Sequence, residues 1–311
     1  MIKIIKSIIL KILKLIGISK SSNETEKIAL GRLLSKKNKL KAVEKIEDVE
    51  FKIYSQFGDD GIIQFLINKL EIEYEYQNFI EFGVEDYSEA NTKFLLINNN
   101  WSGLILDSSE KNIGNVKKKD FYWKHELEAV QCFITRDNIN NVILNSKINK
   151  KKIGILSIDI DGNDYWVWEK INAIDPLIVI VEYNSTFGEK YKISIPYNEN
   201  FNRSKAHYSN LYWGASIEAF KFLANKKGYN FFSTNSAGNN AYFIKENIFE
   251  KLDINLKKNV FRSKFRESRD KTGKKTFENF NDRLKIIGHL KVEDVETKKK
   301  LKLSELLNTV Q

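Results

Sequence analysis

Two apolar runs in the middle of the chain each end abruptly in carboxylates. Ile153-Gly154-Ile155-Leu156-Ser157-Ile158 runs into Asp159-Ile160-Asp161-Gly162, and Leu177-Ile178-Val179-Ile180-Val181 runs into Glu182-Tyr183-Asn184. Short β-branched runs of this kind read as central parallel strands covered on both faces. Open α/β sheets bind ligands beyond the carboxyl ends of such strands. A side-chain period of two places Asp159 and Asp161 on one side of their strand, and Glu182 and Asn184 together on theirs. Oxygen donors gathered in this way either hold a hard cation or take a proton from a hydroxyl. Asp164 reads as the cap of the helix that follows, and Trp166 and Trp168 as core packing.

Two further strand ends carry acids. Glu81 and Gly83 close the run Asn78-Phe79-Ile80, and Asp107 closes Gly103-Leu104-Ile105-Leu106. In nucleotide-binding α/β folds, the turn after the first strand lets backbone approach the ligand, and an acid on the next strand accepts from ribose hydroxyls. Asp107 lies 24 positions after Gly83, close to the ~20 expected. Gly83 stands alone in its turn, whereas diphosphate cradles use several glycines. A ligand with a ribose and no phosphate, such as S-adenosylmethionine, suits this acid-lined turn. The plainer alternative makes Glu81 and Asp107 ordinary strand-end acids, but agreement among several strand ends weighs against it.

The elements that position these groups alternate. The segment 55–61 reads as a helix-entry turn leading into a helix over 62–70. Strands are predicted at 78–83, 103–107, 129–135, 153–158 and 177–182, with helices at 89–98, 137–145, 165–171 and 214–227. A loop-rich stretch covers 185–213. Strands at 229–234 and 241–245, joined by Asn235-Ser236-Ala237-Gly238-Asn239-Asn240, form an antiparallel hairpin. The expectation is an α/β fold, a mostly parallel, doubly wound sheet with a terminal antiparallel hairpin. The predicted domain spans 51–248, preceded by a helical extension at 21–50 and followed by a basic, helical extension at 249–311.

Composition bounds the rest. The chain has 311 residues, 42% hydrophobic and 12% aromatic, enough for a sizeable core. Its one cysteine, Cys132, excludes a disulfide framework and fits a reducing, cytoplasmic compartment. The three histidines are far apart and show no zinc spacing. A net charge of +10 points to an anionic partner, although a lysine-, isoleucine- and asparagine-rich composition with two prolines inflates it. No RNA-recognition or helix-turn-helix module is present, so no nucleic-acid partner is expected. Met1–Lys20 alternates isoleucines with lysines as a basic amphipathic helix, too short and too charged to span a bilayer. It reads either as a contact with an anionic membrane, placing the protein peripherally on the inner face of the cytoplasmic membrane, or as packing on the domain or a second subunit of a homo-oligomer. A turn is predicted at 17–24, then a polar helix to about Lys45. The basic stretch 257–275 reads as charged surface or as a contact for a diphosphate or an anionic lipid.

Taken together, Tyr54-Ser55-Gln56-Phe57-Gly58-Asp59-Asp60-Gly61, Phe79-Ile80-Glu81-Phe82-Gly83-Val84-Glu85, Trp101 to Asp107 and Ser157-Ile158-Asp159-Ile160-Asp161-Gly162 resemble the FkbM-like class I S-adenosylmethionine-dependent methyltransferases, a bacterial surface-glycan type. The likeness continues through Val181 to Asn184, Trp213 to Ser216 and Asn240 to Ile244. It implies a Rossmann-like seven-stranded sheet with the last strand antiparallel. It implies cofactor contacts at Glu81, Gly83, Asp107 and Gln56, with Asp137 at the adenine. It also implies a divalent metal (Mg²⁺, Mn²⁺ or Fe²⁺) held by Asp159, Asp161 and Glu182 after the fourth and fifth strands. The expected reaction is O-methylation of a sugar or nucleotide-sugar hydroxyl in polysaccharide or capsule biosynthesis, with Asp161 and His207 as the catalytic groups and Asn184 contacting substrate. Relatives usually carry a further glycine near Tyr87, which this chain lacks. The rival expectation is a metal-dependent glycosyltransferase that holds a sugar nucleotide through Asp159-Ile160-Asp161. It has no use for a ribose-binding acid on the adjacent strand.

Overall fold

A computed structural model describes residues 20–40, 43–252, 259–265 and 268–308. The amphipathic segment 1–19 lies outside the described residues. The first described helix, α1 (Lys20–Leu40), begins inside the turn expected at 17–24, so 20–24 are helical. Among the described residues no helix is long and apolar enough to cross a membrane.

The central sheet contains seven strands: β1 (Asn78–Phe82), β2 (Ser102–Asp107), β3 (Leu127–Gln131), β4 (Ile155–Ile158), β5 (Ile178–Glu182), β7 (Tyr229–Thr234) and β8 (Asn240–Lys245). Their order is β3-β2-β1-β4-β5-β8-β7. β1 to β5 pair in parallel, and β8 runs antiparallel to both β5 and β7. This is the doubly wound sheet with a terminal hairpin that the chain's patterning called for, in the seven-stranded, Rossmann-like form that the resemblance implied. The order reverses between β1 and β4, and ligand crevices open at such switch points.

Strand alternation explains why both faces are covered. Ile80, Phe82, Leu156, Ile158, Val179 and Val181 point to one side, where Trp166 and Trp168 of α7 (Asp164–Lys170) and Phe220 of α9 (Ile217–Lys226) bury them. Phe79, Ile105, Ile155, Ile178 and Ile180 point to the other, against Ile62, Phe65 and Leu66 of α2 (Asp59–Lys69) and Leu95 of α3 (Lys93–Asn99). Both tryptophans are core residues, as expected. The remaining helices among the described residues are α4 (Glu110–Lys117), α5 (Asp120–Lys124), α6 (Ile139–Leu144), α8 (Arg203–Ala206), α10 (Glu246–Phe249), α11 (Phe280–Ile287) and α12 (Leu303–Asn308).

Three elements differ from expectation for identifiable reasons. The helix expected from Glu89 starts only at Lys93, because the preceding amides of Asn91 and Thr92 donate to the buried Glu81 carboxylate. β3 ends at Gln131, and residues 132–134 turn toward the sheet's carboxyl edge instead of extending the strand. The extension after 249 is also not simply helical. β9 (Lys291–Asp294) and β10 (Lys300–Lys302) pair with β6 (Ile193–Ser194), from the expected loop, in a separate three-stranded antiparallel sheet. A small apolar cluster of Ile193, Ile195, Leu211, Ile287 and Val292 holds that sheet to the domain.

Candidate active site

A cavity of about 390 Å³ opens at the carboxyl edge of the sheet. Its size falls within the ~300–1,000 Å³ typical of small-molecule sites. Gln56, Glu81, Gly83, Asp107, Asp159, Asp161 and Glu182 all line it, so most of the expected site residues converge.

At Gly83 the turn after β1 passes tightly against the chain leaving β4. The glycine's φ is +72°, and a Cβ there would lie 1.6 Å from the Asp159 carbonyl oxygen, so no side chain fits. The Gly83 amide donates to the Leu106 carbonyl at 2.9 Å, which ties the turn to β2 as well. Asp107 uses one carboxylate oxygen to accept the Glu85 amide and the other to accept the Ser109 amide, both at 2.8 Å. It thus fixes the first loop of the cavity while bordering it; the oxygen that accepts the Ser109 amide also takes a long contact from the Asn112 side chain at 3.4 Å, which leaves the oxygen that accepts the Glu85 amide with a second lone pair for a ligand. Glu81 accepts the Asn91 amide at 2.8 Å on one oxygen and the Thr92 amide at 3.0 Å on the other. Burial pushes its carboxyl up to about 7, against the pull of those donors. Glu81 therefore shapes the loop over the cavity with both oxygens.

The motif Ser55-Gln56-Phe57-Gly58-Asp59-Asp60 places Gln56. One Asp60 oxygen accepts the amides of Ile53, Tyr54 and Ser55, which curls that loop onto α2. Asp59 reaches the other way and accepts from Asn235, Asn240 and Tyr242, pinning the β7–β8 turn. Asn235 orders that turn further by accepting the amides of Gly238, Asn239 and Asn240. Asn239 and Asn240 complete the cavity wall.

The acidic triad forms, although not by continuation of a strand. β4 stops at Ile158, and Asp161 sits in a left-handed turn at φ +56°. Asp164 fastens this turn by accepting the amides of Ile160 and Gly162, both at 2.8 Å, and Asn163 is the residue preceding the helix. One oxygen each from Asp159, Asp161 and Glu182 lies within 4.8 Å of the others. Burial, then the neighbouring carboxylates, raise Asp159 and Glu182 well above the ordinary range. Glu182 Oε2 is buried without a hydrogen-bond partner. An orphaned carboxylate oxygen beside two more hard donors fits a divalent cation, since such oxygens suit Mg²⁺ or Mn²⁺.

Three expected residues lie off the wall of this cavity. Asn184 does not stay beside Glu182: it precedes a short helical turn, and its side-chain amide donates to the Leu211 and Trp213 carbonyls, both at 2.9 Å. Its oxygen accepts the Thr186 amide, so its polar capacity goes into holding 211–213 in place. Asp137 is paired with Arg136 on the surface and is absent from the cavity wall; Cys132, Phe133 and Ile134 take the position after β3. His207 hydrogen-bonds Ser209 at 2.7 Å and its ring centre lies 5.5 Å from that of His289, and it too is not part of the wall. Four residues earlier, Arg203 is: its guanidinium pairs with Asp161 and lies 4.5 Å from the centre of the Trp213 ring. Nothing local marked Arg203, because its partner is 42 residues away in sequence.

A second cavity of about 180 Å³ adjoins the first and shares Gln56, Glu182, Arg203 and Asn239 with it. Asn184, Ser185, Trp213, Ser263 and Phe265 are among its other walls, so Asn184 borders this second cavity although its amide is spent on residues 211 and 213. In the described part of the basic stretch, Arg262 stacks on Phe280 with 4.3 Å to the ring centre, and Ser263 donates its amide to Ser185 at 3.0 Å.

No protein-family model matches the chain, and no curated protein matches it. Among solved structures, the chain is similar to an O-methyltransferase from Bacillus cereus in complex with SAH, at 14% identity and a TM-score of 0.40, covering 76% of this chain and 96% of that one. It is similar to the N-terminal domain of EvdMO1 with SAH bound, at 8% identity and a TM-score of 0.39, covering 68% and 94%. A third is an S-adenosylmethionine-dependent methyltransferase from Clostridium acetobutylicum, at 8% identity and a TM-score of 0.37, covering 60% and 90%.

Proposed function

We propose that the protein is an S-adenosylmethionine-dependent O-methyltransferase acting on a sugar hydroxyl, nucleotide-linked or in a glycan, in bacterial surface-polysaccharide assembly. The observation that carries this reading is the single cavity running from Gly83 and Asp107 to the triad of Asp159, Asp161 and Glu182. One end offers a close backbone approach and a ribose-accepting acid; the other offers groups able to orient and deprotonate a hydroxyl. The glycosyltransferase alternative accounts for the triad but leaves the Gly83–Asp107 end without a role.

The bound cofactor supplies a methyl group already activated on a sulfonium. The chain's task is therefore alignment and proton removal. The Gly83 turn and Asp107 hold the ribose, and Gln56 closes over the same cavity. Glu182 and Arg203 face both cavities, so an acceptor seated in the smaller one meets the triad from the side of Trp213. In its ionised form, a carboxylate of the triad can take the acceptor's hydroxyl proton onto an oxygen. On this reading the base is a triad carboxylate, and His207, outside the cavity wall, is not needed for proton removal. A divalent ion held by Asp159, Asp161 and Glu182 would lower the hydroxyl's pKa.

Calorimetric titration with S-adenosylmethionine tests the reading. Saturable binding is expected, weakened about ten- to a hundredfold in Asp107→Ala, as a lost charge-assisted hydrogen bond is worth about 1.5–3 kcal/mol. Absence of binding by the folded wild-type protein would refute the methyltransferase assignment.

A further inference from the structure

Arg203 is a cation that the protein already carries at the triad. Its guanidinium pairs with Asp161, its Nε donates to the Asn210 carbonyl at 3.0 Å, and its Cζ lies 4.5 Å from the centre of the Trp213 ring. Three carboxylates thus face one fixed positive charge, and that charge sits on the most exposed of the three. Asp159 and Glu182 lie deeper, and Glu182 Oε2 has no partner. A guanidinium is charged at every accessible pH and favours the same carboxylate oxygens that a hard cation uses. Two cations sharing Asp161 repel strongly in a partly buried site.

We propose that Arg203 is the triad's resident counter-cation. It competes with the divalent ion for Asp161, sets the ion affinity of the site, and gives up that carboxylate when the ion enters. Its anchoring suits the role. The Trp213 face and the Asn210 carbonyl, both in the loop that Asn184 holds, keep the guanidinium at the wall of the second cavity once Asp161 is released. Asp161, in its left-handed turn, has a backbone conformation that aspartate tolerates better than most residues. Arg203 is thus a positioning residue acting through Asp161. The inference rests on the metal-binding reading of the triad.

The test is calorimetric titration of the full chain with Mg²⁺, alongside tryptophan fluorescence. The folded Arg203→Gln variant is expected to bind Mg²⁺ about tenfold more tightly or better, because a competing unit charge has gone. Arg203→Lys keeps the charge and is expected to stay near wild type. In the wild-type protein, Mg²⁺ should change an emission component that is missing in Trp213→Phe, because the guanidinium moves on that ring. Equal or weaker Mg²⁺ binding by Arg203→Gln would overturn the proposal, as would Arg203→Lys matching Arg203→Gln. If Arg203→Gln does not fold, the wild-type fluorescence decides: Mg²⁺ binding without a Trp213-dependent change overturns it. If wild type and both Arg203 variants fail to bind Mg²⁺ and Mn²⁺ alike, the metal reading fails and this inference with it. Mg²⁺ binding that is indifferent to Arg203 overturns the inference alone.

Discussion

Replacing Gly83 by alanine strains the point where the turn after β1 meets the acidic triad. The residue's φ of +72° is one that an L-residue enters at a cost of about 1–2 kcal/mol. The added Cβ would also sit 1.6 Å from the Asp159 carbonyl oxygen, a backbone atom that cannot rotate aside. Relief requires the ends of β1 and β4 to separate, and overpacking of this kind typically costs about 1–3 kcal/mol more. The expected loss is therefore about 2–5 kcal/mol of folding stability. At a urea slope of about 3 kcal/mol per molar, the upper end expected for a chain of this size, the unfolding midpoint should fall by roughly 0.7–1.7 M. Because the carbonyl that must move belongs to Asp159, cofactor and metal affinity should fall together even under conditions where the variant is fully folded. Gly114→Ala is the control: a Cβ there meets nothing within 4 Å, it lies within α4, and stability should hold or rise by up to about 1 kcal/mol. A Gly83→Ala variant with a wild-type urea midpoint and unchanged S-adenosylmethionine affinity would refute the close-approach account of this turn.

Burial of Glu81 makes stability depend on pH in a stated direction. Its folded-state pKa, about 7, lies above the ordinary 4.5, so the native state holds the proton more tightly, and stability should fall as pH rises from about 4.5 to 7. In Glu81→Gln that part of the slope should vanish from urea unfolding measured across the range; an unchanged slope would remove Glu81 as its source. Catalysis should cease in chelator and return with Mg²⁺, Mn²⁺ or Fe²⁺, whereas full methyl transfer in chelator would leave the triad as base and substrate ligands only. The segment Met1–Lys20 should bind anionic vesicles in a salt-sensitive way, its isoleucines supplying apolar transfer and each lysine about 1 kcal/mol. Removing it should abolish co-sedimentation while sparing S-adenosylmethionine binding, and loss of the fold on truncation would make it packing instead.

What the chain's own pattern determined is whatever repeats over a few residues. The β-branched runs at 155–158 and 178–182, the acids closing them, and the Glu81-Phe82-Gly83 and Asp107 strand ends are visible because a strand's burial and termination are local properties. The same holds for the hairpin at β7 and β8, whose turn residues announce it. Tertiary structure alone decided which oxygens remain available. Glu81 and Asn184 are spent on backbone amides and carbonyls; in Asn184's case the partners lie 27 and 29 positions away, beyond any local period. The two-residue β6 carries no pattern of its own and becomes a strand only because β9 and β10 supply its partners. Arg203 reached Asp161, and His207 turned away from it, by the path of a loop whose course is set by long-range hydrogen bonds. Local periodicity fixes which face a residue occupies, whereas the pairing of charges across the crevice depends on how loops distant in sequence pack together.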